Sequence, residues 1–258
     1  MDLALKGRVC LVTGSSRGIG AAIAEAFAAH GCHVVVNYRT SEELATQLAE
    51  RLSSEYGIDA IPIQADVTDE EAVKRMVEEI ENEFGYVDIV VNNALHHYLF
   101  DPDQRKWAWE MEWKDYQRQI DGSLKGTYNV CKYVIPRMKF KQFGRIINIV
   151  SNLIYRPVVP YHDYTTAKGA LLTYSQNLAA DLGAFGITVN CVAPGLVYPT
   201  DASRLTKEEV KENIIQSTPL GRIATPHDIT GTILYFASGL SSFVTGQTVV
   251  VDGGFTMK

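Results

Sequence analysis

The sequence predicts a doubly wound α/β fold of the Rossmann-like kind, an approximately seven-stranded parallel sheet in one domain over residues 1–258. Three observations predict it. Short β-branched runs alternate with apolar stripes of helical period; the runs are apolar at nearly every position, as strands covered on both faces are; and a glycine-rich loop joins the first run to the first stripe.

In chain order the runs are 8–13, 33–38, the weaker 59–64, 88–92, 145–150, 188–192 and 248–251. Ile19, Ile23 and Phe27 recur every four residues and stop at Gly31, a natural helix-ending glycine. Leu44, Leu48 and Leu52 form the second stripe, and Val73, Val77, Ile80 and Phe84 the third. The third opens on Thr68-Asp69-Glu70-Glu71, a capping-box pattern that sets its start. Thr206-Lys207-Glu208-Glu209 repeats that pattern, and the region 196–217 reads as a short helical lid over a substrate. Strand–helix alternation makes each crossover right-handed.

Composition removes several function classes. With Lys+Arg 24 against Asp+Glu 30 the net charge is −6, so nucleic acid and anionic membrane, which demand basic surfaces, are not expected partners. No apolar stretch is long enough to span a bilayer, and the N-terminus enters a strand with no signal-peptide pattern. Cys10, Cys32, Cys131 and Cys191 stand singly in apolar contexts, reading as small buried hydrophobes in a reducing, cytoplasmic setting. His96-His97 does not read as a metal site: neighbours in extended chain point apart, and no Cys or carboxylate stands at ligand spacing.

The first strand ends in Thr13-Gly14-Ser15-Ser16-Arg17-Gly18-Ile19-Gly20 with a helix directly after. Gly14 permits the tight turn, Gly18 lets backbone approach a pyrophosphate, and Gly20 lets the helix sit close to the sheet with its N-terminus toward the anion. Gly14, Ser16, Arg17, Gly18, Ile19 and Gly20 are therefore candidate cofactor contacts. An NAD site usually places a carboxylate at the end of the second strand. Here the sequence is Val36-Asn37-Tyr38-Arg39. Asn37 replaces the acid, and Arg17 and Arg39 either face a 2′-phosphate or are two solvated surface arginines. Two arginines together with the missing acid favour NADP(H).

Tyr164 and Lys168 are four residues apart and share a helix face. A phenol with a pKa near 10 is a poor acid–base catalyst at neutral pH, and a neighbouring ammonium is expected to lower it. Ser151 follows the strand 145–150 and can hydrogen-bond a substrate oxygen.

With these residues in view the chain resembles the short-chain dehydrogenase/reductase family over essentially its whole length. The anchors are Thr13-Gly14…Gly18-Ile19-Gly20, Asp66-Val67, Asn92-Asn93-Ala94, Ser151, Tyr164…Lys168, Asn190…Pro194-Gly195 and Asp252-Gly253-Gly254. The resemblance implies Tyr164 as general acid/base, Ser151 as partner of the carbonyl oxygen, and Lys168 on the nicotinamide ribose. It implies Asp66 and Val67 at the adenine, Asn92 and Ala94 along the cofactor groove, and backbone from Pro194 and Gly195 to Val197 at the nicotinamide. It also implies NADP preference from Arg17, and a homotetramer or homodimer packed through the helices 126–138 and 164–182.

Three departures stand out. Ser123 occupies the place of the family's catalytic asparagine; Leu95 replaces the glycine after Asn92-Asn93-Ala94; and the segment from Pro194 to Thr200 is one residue longer. Trp107, Trp109, Trp113, Tyr98, Phe100 and Tyr116 cluster after that motif, as an aromatic wall for a bulky substrate or as packing in a local or intersubunit core. Tyr155, Tyr161 and His162 are further candidate pocket liners. Within the family the general look is that of bacterial 3-oxoacyl-[acyl-carrier-protein] reductases, although Gln142 and Phe185 stand where such reductases commonly show arginine. The expected function is an NADP(H)-dependent oxidoreductase that interconverts a small-molecule ketone and a secondary alcohol, a 3-oxoacyl thioester among the candidates. The alternatives are a general reductase of bulky ketones and a weakly active NADP-binding regulatory protein.

Overall fold

The computed structural model describes residues 3–96 and 98–257; His97, of the pair noted above, lies outside the described residues. Every predicted run forms a strand: β1 (Val9–Val12), β2 (His33–Tyr38), β3 (Ala60–Gln64), β4 (Ile89–Asn92), β5 (Gly144–Ile149), β6 (Ile187–Pro194) and β7 (Thr248–Val251). They make one sheet in the order β3-β2-β1-β4-β5-β6-β7, with every pairing parallel. The helices are α1 (Gly18–Ala29), α2 (Glu42–Tyr56), α3 (Glu70–Phe84), α4 (Trp113–Ile120), α5 (Gly126–Lys141), α6 (His162–Leu182), α7 (Glu208–Ser217) and α8 (Pro226–Ala237).

Strand periodicity builds two cores. Cys10 and Val12 of β1 lie with Ile23, Phe27, Leu48, Leu52, Ile233 and Phe236, from α1, α2 and α8. Leu11, between them, packs into the opposite cluster with Val73, Ile80, Val130, Met138 and Leu182, from α3, α5 and α6. Each fully buried Leu, Ile or Phe contributes about 1.5–3 kcal/mol, so this two-sided burial holds the sheet. The four cysteines are free and buried, as their apolar contexts predict. No helix among the described residues is long and apolar enough to cross a membrane.

Local details differ from the sequence pattern. Leu44 is exposed, and the buried face of α2 is Ala45, Leu48, Ala49 and Leu52. The cap of α3 is Asp69, which accepts from the Glu71 and Ala72 amides, while Thr68 turns its hydroxyl to Asp66. The box expected at Thr206 does not form; α7 begins after Lys207 with no side-chain cap. Between α4 and α5 the helix widens into a π-helical turn over Asp121–Lys125. Such insertions concentrate at functional sites.

Removing the Asp69 cap leaves two first-turn amides without that carboxylate. Asp69→Ala should destabilise the protein by about 1 kcal/mol in urea unfolding, with the m-value unchanged.

Candidate active site

In a parallel sheet the strands end on one edge, and a crevice opens where neighbouring strands send their helices to opposite faces. Here that point lies between β1 and β4. The loop after β1 is braced from both sides. The Asn93 and Ala94 amides donate to Thr13 Oγ1 at 3.0 Å, and Asn93 Nδ2 donates to the Thr13 and Gly14 carbonyls at 3.0 and 3.1 Å. From the other side Asn37 Oδ1 accepts the Gly14 amide at 3.0 Å, while its Nδ2 donates to the Ile63 and Ala65 carbonyls. Gly14 and Gly18 take φ values of 61° and 59°, which disfavour any other residue. A Cβ on Gly20 would lie 2.5 Å from the Gly14 carbonyl oxygen, so only glycine lets α1 start this close to the loop.

The result is a groove of about 280 Å³ floored by Gly14, Ser16, Gly18, Ile19 and Gly20. Arg17 makes no capping bond to α1, leaving the first-turn amides open onto it. Asn37, Arg39, Asp66, Val67 and Ala94 line it. Arg17 and Arg39 are in the groove, held by Asp201 at 2.8 Å and Asp66 at 3.7 Å, and Arg17 also donates to Ser41 Oγ at 3.0 Å. A loop of backbone donors, a helix N-terminus and two guanidiniums fit a dinucleotide phosphate chain. Asn92 does not line the groove: it is buried, and its Nδ2 donates to Asn148 Oδ1 at 2.8 Å. The lining asparagine is its neighbour Asn93, whose signal in the sequence was only its place beside Asn92.

A second cavity, about 150 Å³, adjoins the groove and holds Ser151, Tyr164 and Lys168 together. Pro194, Gly195 and Val197 line this cavity, and Ile19, Asn93, Leu95 and Thr200 border both spaces. Lys168 Nζ is buried and donates to the Ile149 carbonyl at the end of β5, at 2.8 Å. Ser151 Oγ accepts the Leu153 amide and lies in hydrogen-bonding reach of the Tyr164 phenol. Burial pushes the Tyr164 phenol up to about 12, with the Ser151 hydroxyl pulling the other way. Burial also lowers Lys168 to about 8, opposed by nearby Cys191. The direction of the phenol's shift thus differs from the lowering expected from the neighbouring ammonium: burial is the larger cause, and the opposing pull comes from Ser151.

Several expected liners lie elsewhere. Trp107, Trp109 and Trp113 are exposed, Trp109 at 79%; Trp107 stacks on Trp109, and none of the three lines the cavity. Phe100 and Tyr161 form the aromatic wall instead. Tyr155 packs in a small side cluster, and His162 lines an outer pocket with Tyr98. Ser123 lies in the π-helical turn, buried, in neither cavity nor groove, and its Oγ has no hydrogen-bond partner among the described residues.

A doubly wound sheet with a phosphate loop at its switch point and a hydroxyl–phenol–ammonium cluster beside it defines a dinucleotide-dependent oxidoreductase. Residues 14–256 match the family described as enoyl-(acyl carrier protein) reductase. The chain is 35% identical over 254 residues to the 3-oxoacyl-[acyl-carrier-protein] reductase of Aquifex aeolicus, covering 98% of this chain and 99% of that protein. Against the Staphylococcus aureus enzyme of that name it is 36% identical over 247 residues, 96% of this chain and 97% of the other. Among solved structures, a putative gluconate dehydrogenase from Agrobacterium tumefaciens superposes with a TM-score of 0.91 at 31% identity, over 100% of both chains. A gluconate 5-dehydrogenase from Burkholderia cenocepacia, in complex with NADP and tartrate, gives 0.88 at 33%, over 98% of this chain and 97% of the other. The chain belongs to the short-chain dehydrogenase/reductase family.

A buried hydroxyl without a partner carries its desolvation cost uncompensated. Ser123→Ala should therefore leave stability unchanged or raise it by up to about 1 kcal/mol, read as a shift in the urea midpoint.

Proposed function

We propose that this enzyme is an NADP(H)-dependent oxidoreductase interconverting a ketone and a secondary alcohol, with 3-oxoacyl thioesters as its substrate class. The observation that carries this reading is the convergence of Ser151, Tyr164 and Lys168 where an apolar cavity meets the dinucleotide groove. The bound nicotinamide supplies the hydride in reduction and accepts it in oxidation. Tyr164, with its pKa pushed up to about 12, keeps its proton at neutral pH and gives it to the carbonyl oxygen in reduction. Ser151 donates a hydrogen bond to that oxygen. Lys168, anchored on Ile149 and protonated below about pH 8, holds positive charge beside the phenolate that remains.

The NADP(H) preference is supported by Arg17 and Arg39 in the groove, by Asn37 in place of an acid, and by the NADP bound to the Burkholderia cenocepacia relative. The substrate class is supported by the walls, which include Leu95, Phe100, Leu153, Val158, Tyr161 and Ile214. Among the described lining residues the cations are Lys168 and Arg222, and both guanidinium nitrogens of Arg222 are held by Asp228 at 2.6 and 2.7 Å. Among the described lining residues no cation is left over for a sugar-acid carboxylate, which supports the thioester reading over an activity like that named for the gluconate relatives. A second reading, reduction of free bulky ketones, is favoured by Gln142 and Phe185, which stand where carrier-protein reductases commonly show arginine. There Phe185 packs against Lys139 at 4.3 Å, and Gln142 bonds the Lys139 carbonyl.

The segment 196–217 serves as a lid, since Val210 and Ile214 of α7 reach the cavity. We assign the whole chain to one domain. The exposed Tyr128, Phe140 and Phe243 support assembly as a homodimer or homotetramer, and the four unpaired thiols support a cytoplasmic setting.

Tyr164→Phe should abolish NADPH oxidation with acetoacetyl-CoA, bulky aromatic ketones, diketones and keto sugars alike, while NADPH affinity measured by fluorescence stays within about twofold, because only the proton donor is lost. Retained turnover in that variant refutes the assigned role. Arg17→Ala combined with Arg39→Ala should weaken NADPH by about tenfold or more and NADH little, as two charge-assisted phosphate contacts disappear; equal losses refute the NADP argument.

A further inference from the structure

The Tyr164 ring is held by more than its own helix. Tyr98 lies against it with ring centroids 5.2 Å apart and planes 31° apart, and Phe100 meets it edge-on at 5.1 Å. Tyr161 closes the cluster, touching both Tyr98 and Phe100. The Tyr98 hydroxyl donates to Asp163 Oδ1 at 2.9 Å, and the same oxygen accepts the Tyr164 amide at 2.8 Å. One carboxylate thus ties the backbone of Tyr164 to the side chain that packs on its ring. Tyr98 also borders both the dinucleotide groove and the outer pocket, so it forms the partition behind the phenol.

The segment carrying Tyr98 is itself seated with little room. A Cβ on Gly122, in the π-helical turn, would come within 2.5 Å of the His96 amide nitrogen. The Phe100 amide donates to the Ala202 carbonyl at 2.9 Å, joining this segment to the lid region. Residues 98 and 100 are therefore fixed between the helix break and the lid, with the Tyr164 ring against them.

We propose that Tyr98 is a positioning residue for Tyr164: its hydroxyl, tethered to Asp163, and its ring, packed on the phenol, fix the direction in which Tyr164 presents its oxygen to the cavity. This inference rests on the reading of Tyr164 as the acid–base group. Tyr98→Phe removes the tether but keeps the ring that borders the dinucleotide groove, so kcat falls and KM does not.

The test is steady-state reduction of acetoacetyl-CoA by NADPH with the full-length enzyme. Tyr98→Phe, which removes one oxygen, should lower kcat about tenfold, less than the roughly hundredfold that a 1 Å misplacement can cost, with KM for both substrates within about twofold. Asp163→Asn keeps an acceptor oxygen and should stay within about twofold of the unaltered enzyme. Asp163→Ala should fall at least as far as Tyr98→Phe, and the double variant Tyr98→Phe/Asp163→Ala no further than Asp163→Ala, because both changes break one hydrogen bond. Unchanged kcat in Tyr98→Phe, a rise in KM in place of the loss in kcat, or multiplying losses in the double variant would overturn the proposal. Should the Asp163 variants fail to fold, Tyr98→Phe alone decides. Tyr164→Phe run alongside separates the two claims: turnover there defeats the reading of the site, whereas an inert Tyr164→Phe beside a fully active Tyr98→Phe defeats only this inference. An unaltered enzyme inert toward acetoacetyl-CoA defeats the thioester substrate class, and the same comparison of variants is then decided on the aromatic ketone, diketone or keto sugar that it reduces; an enzyme inert toward all of them overturns both claims.

Discussion

The hydrogen bond from Lys168 to the Ile149 carbonyl is the point from which the site is built. A lysine ammonium is rarely fully buried, and here it is tolerated because its proton meets the last carbonyl of β5. That bond pins α6 to the C-terminal end of the sheet. Lys168 and Tyr164, one turn apart, then stand beside Ser151, two residues beyond the bonded carbonyl. The same burial that makes the contact strong moves both titrating groups, the phenol up to about 12 and the ammonium down to about 8. A mobile, hydrated pair would show neither shift.

The phosphate loop depends on a different device. Its glycines permit the path of the chain, and two asparagine side chains hold it there. Asn37 reaches from β2 and Asn93 from beyond β4, and both meet the loop at Gly14. Each side chain bonds backbone groups on both sides of the turn: Asn37 the Gly14 amide and the Ile63 and Ala65 carbonyls, Asn93 the Thr13 and Gly14 carbonyls. The groove is therefore formed by the protein's own hydrogen bonds, and its guanidiniums are drawn to Asp201 and Asp66 at the edges.

The departures from the family pattern fall together in space. Leu95 borders both cavities, His96 lies on Gly122, and Ser123 is buried in the widened turn next to that glycine. On the same side of the site, Tyr98 and Phe100 pack on the Tyr164 ring. Ser123, buried in the widened turn, stays clear of the cavity. Trp107, Trp109 and Trp113 stand outside this cluster, exposed.

The sequence alone determined the strands, the parallel sheet, the glycine loop and the trio Ser151, Tyr164 and Lys168. Each is written in a local signal: a run of β-branched residues, a stripe of period 3.6, glycines at fixed offsets, or a four-residue spacing on one helix face. The three-dimensional structure decided what depends on residues far apart in the chain. Asn93, not Asn92, lines the groove because the end of β4 buries one side chain against Asn148 and turns the next toward Gly14. Of the aromatic candidates named from the sequence, the fold brings Phe100 and Tyr161 to the cavity, where Phe255 joins them, and leaves the three tryptophans exposed; the direction of the Tyr164 and Lys168 shifts follows from how completely the fold excludes water around them. Periodicity and spacing are properties of neighbours along the chain; burial and long-range contact belong to the folded molecule, and there the chemistry of this site was set.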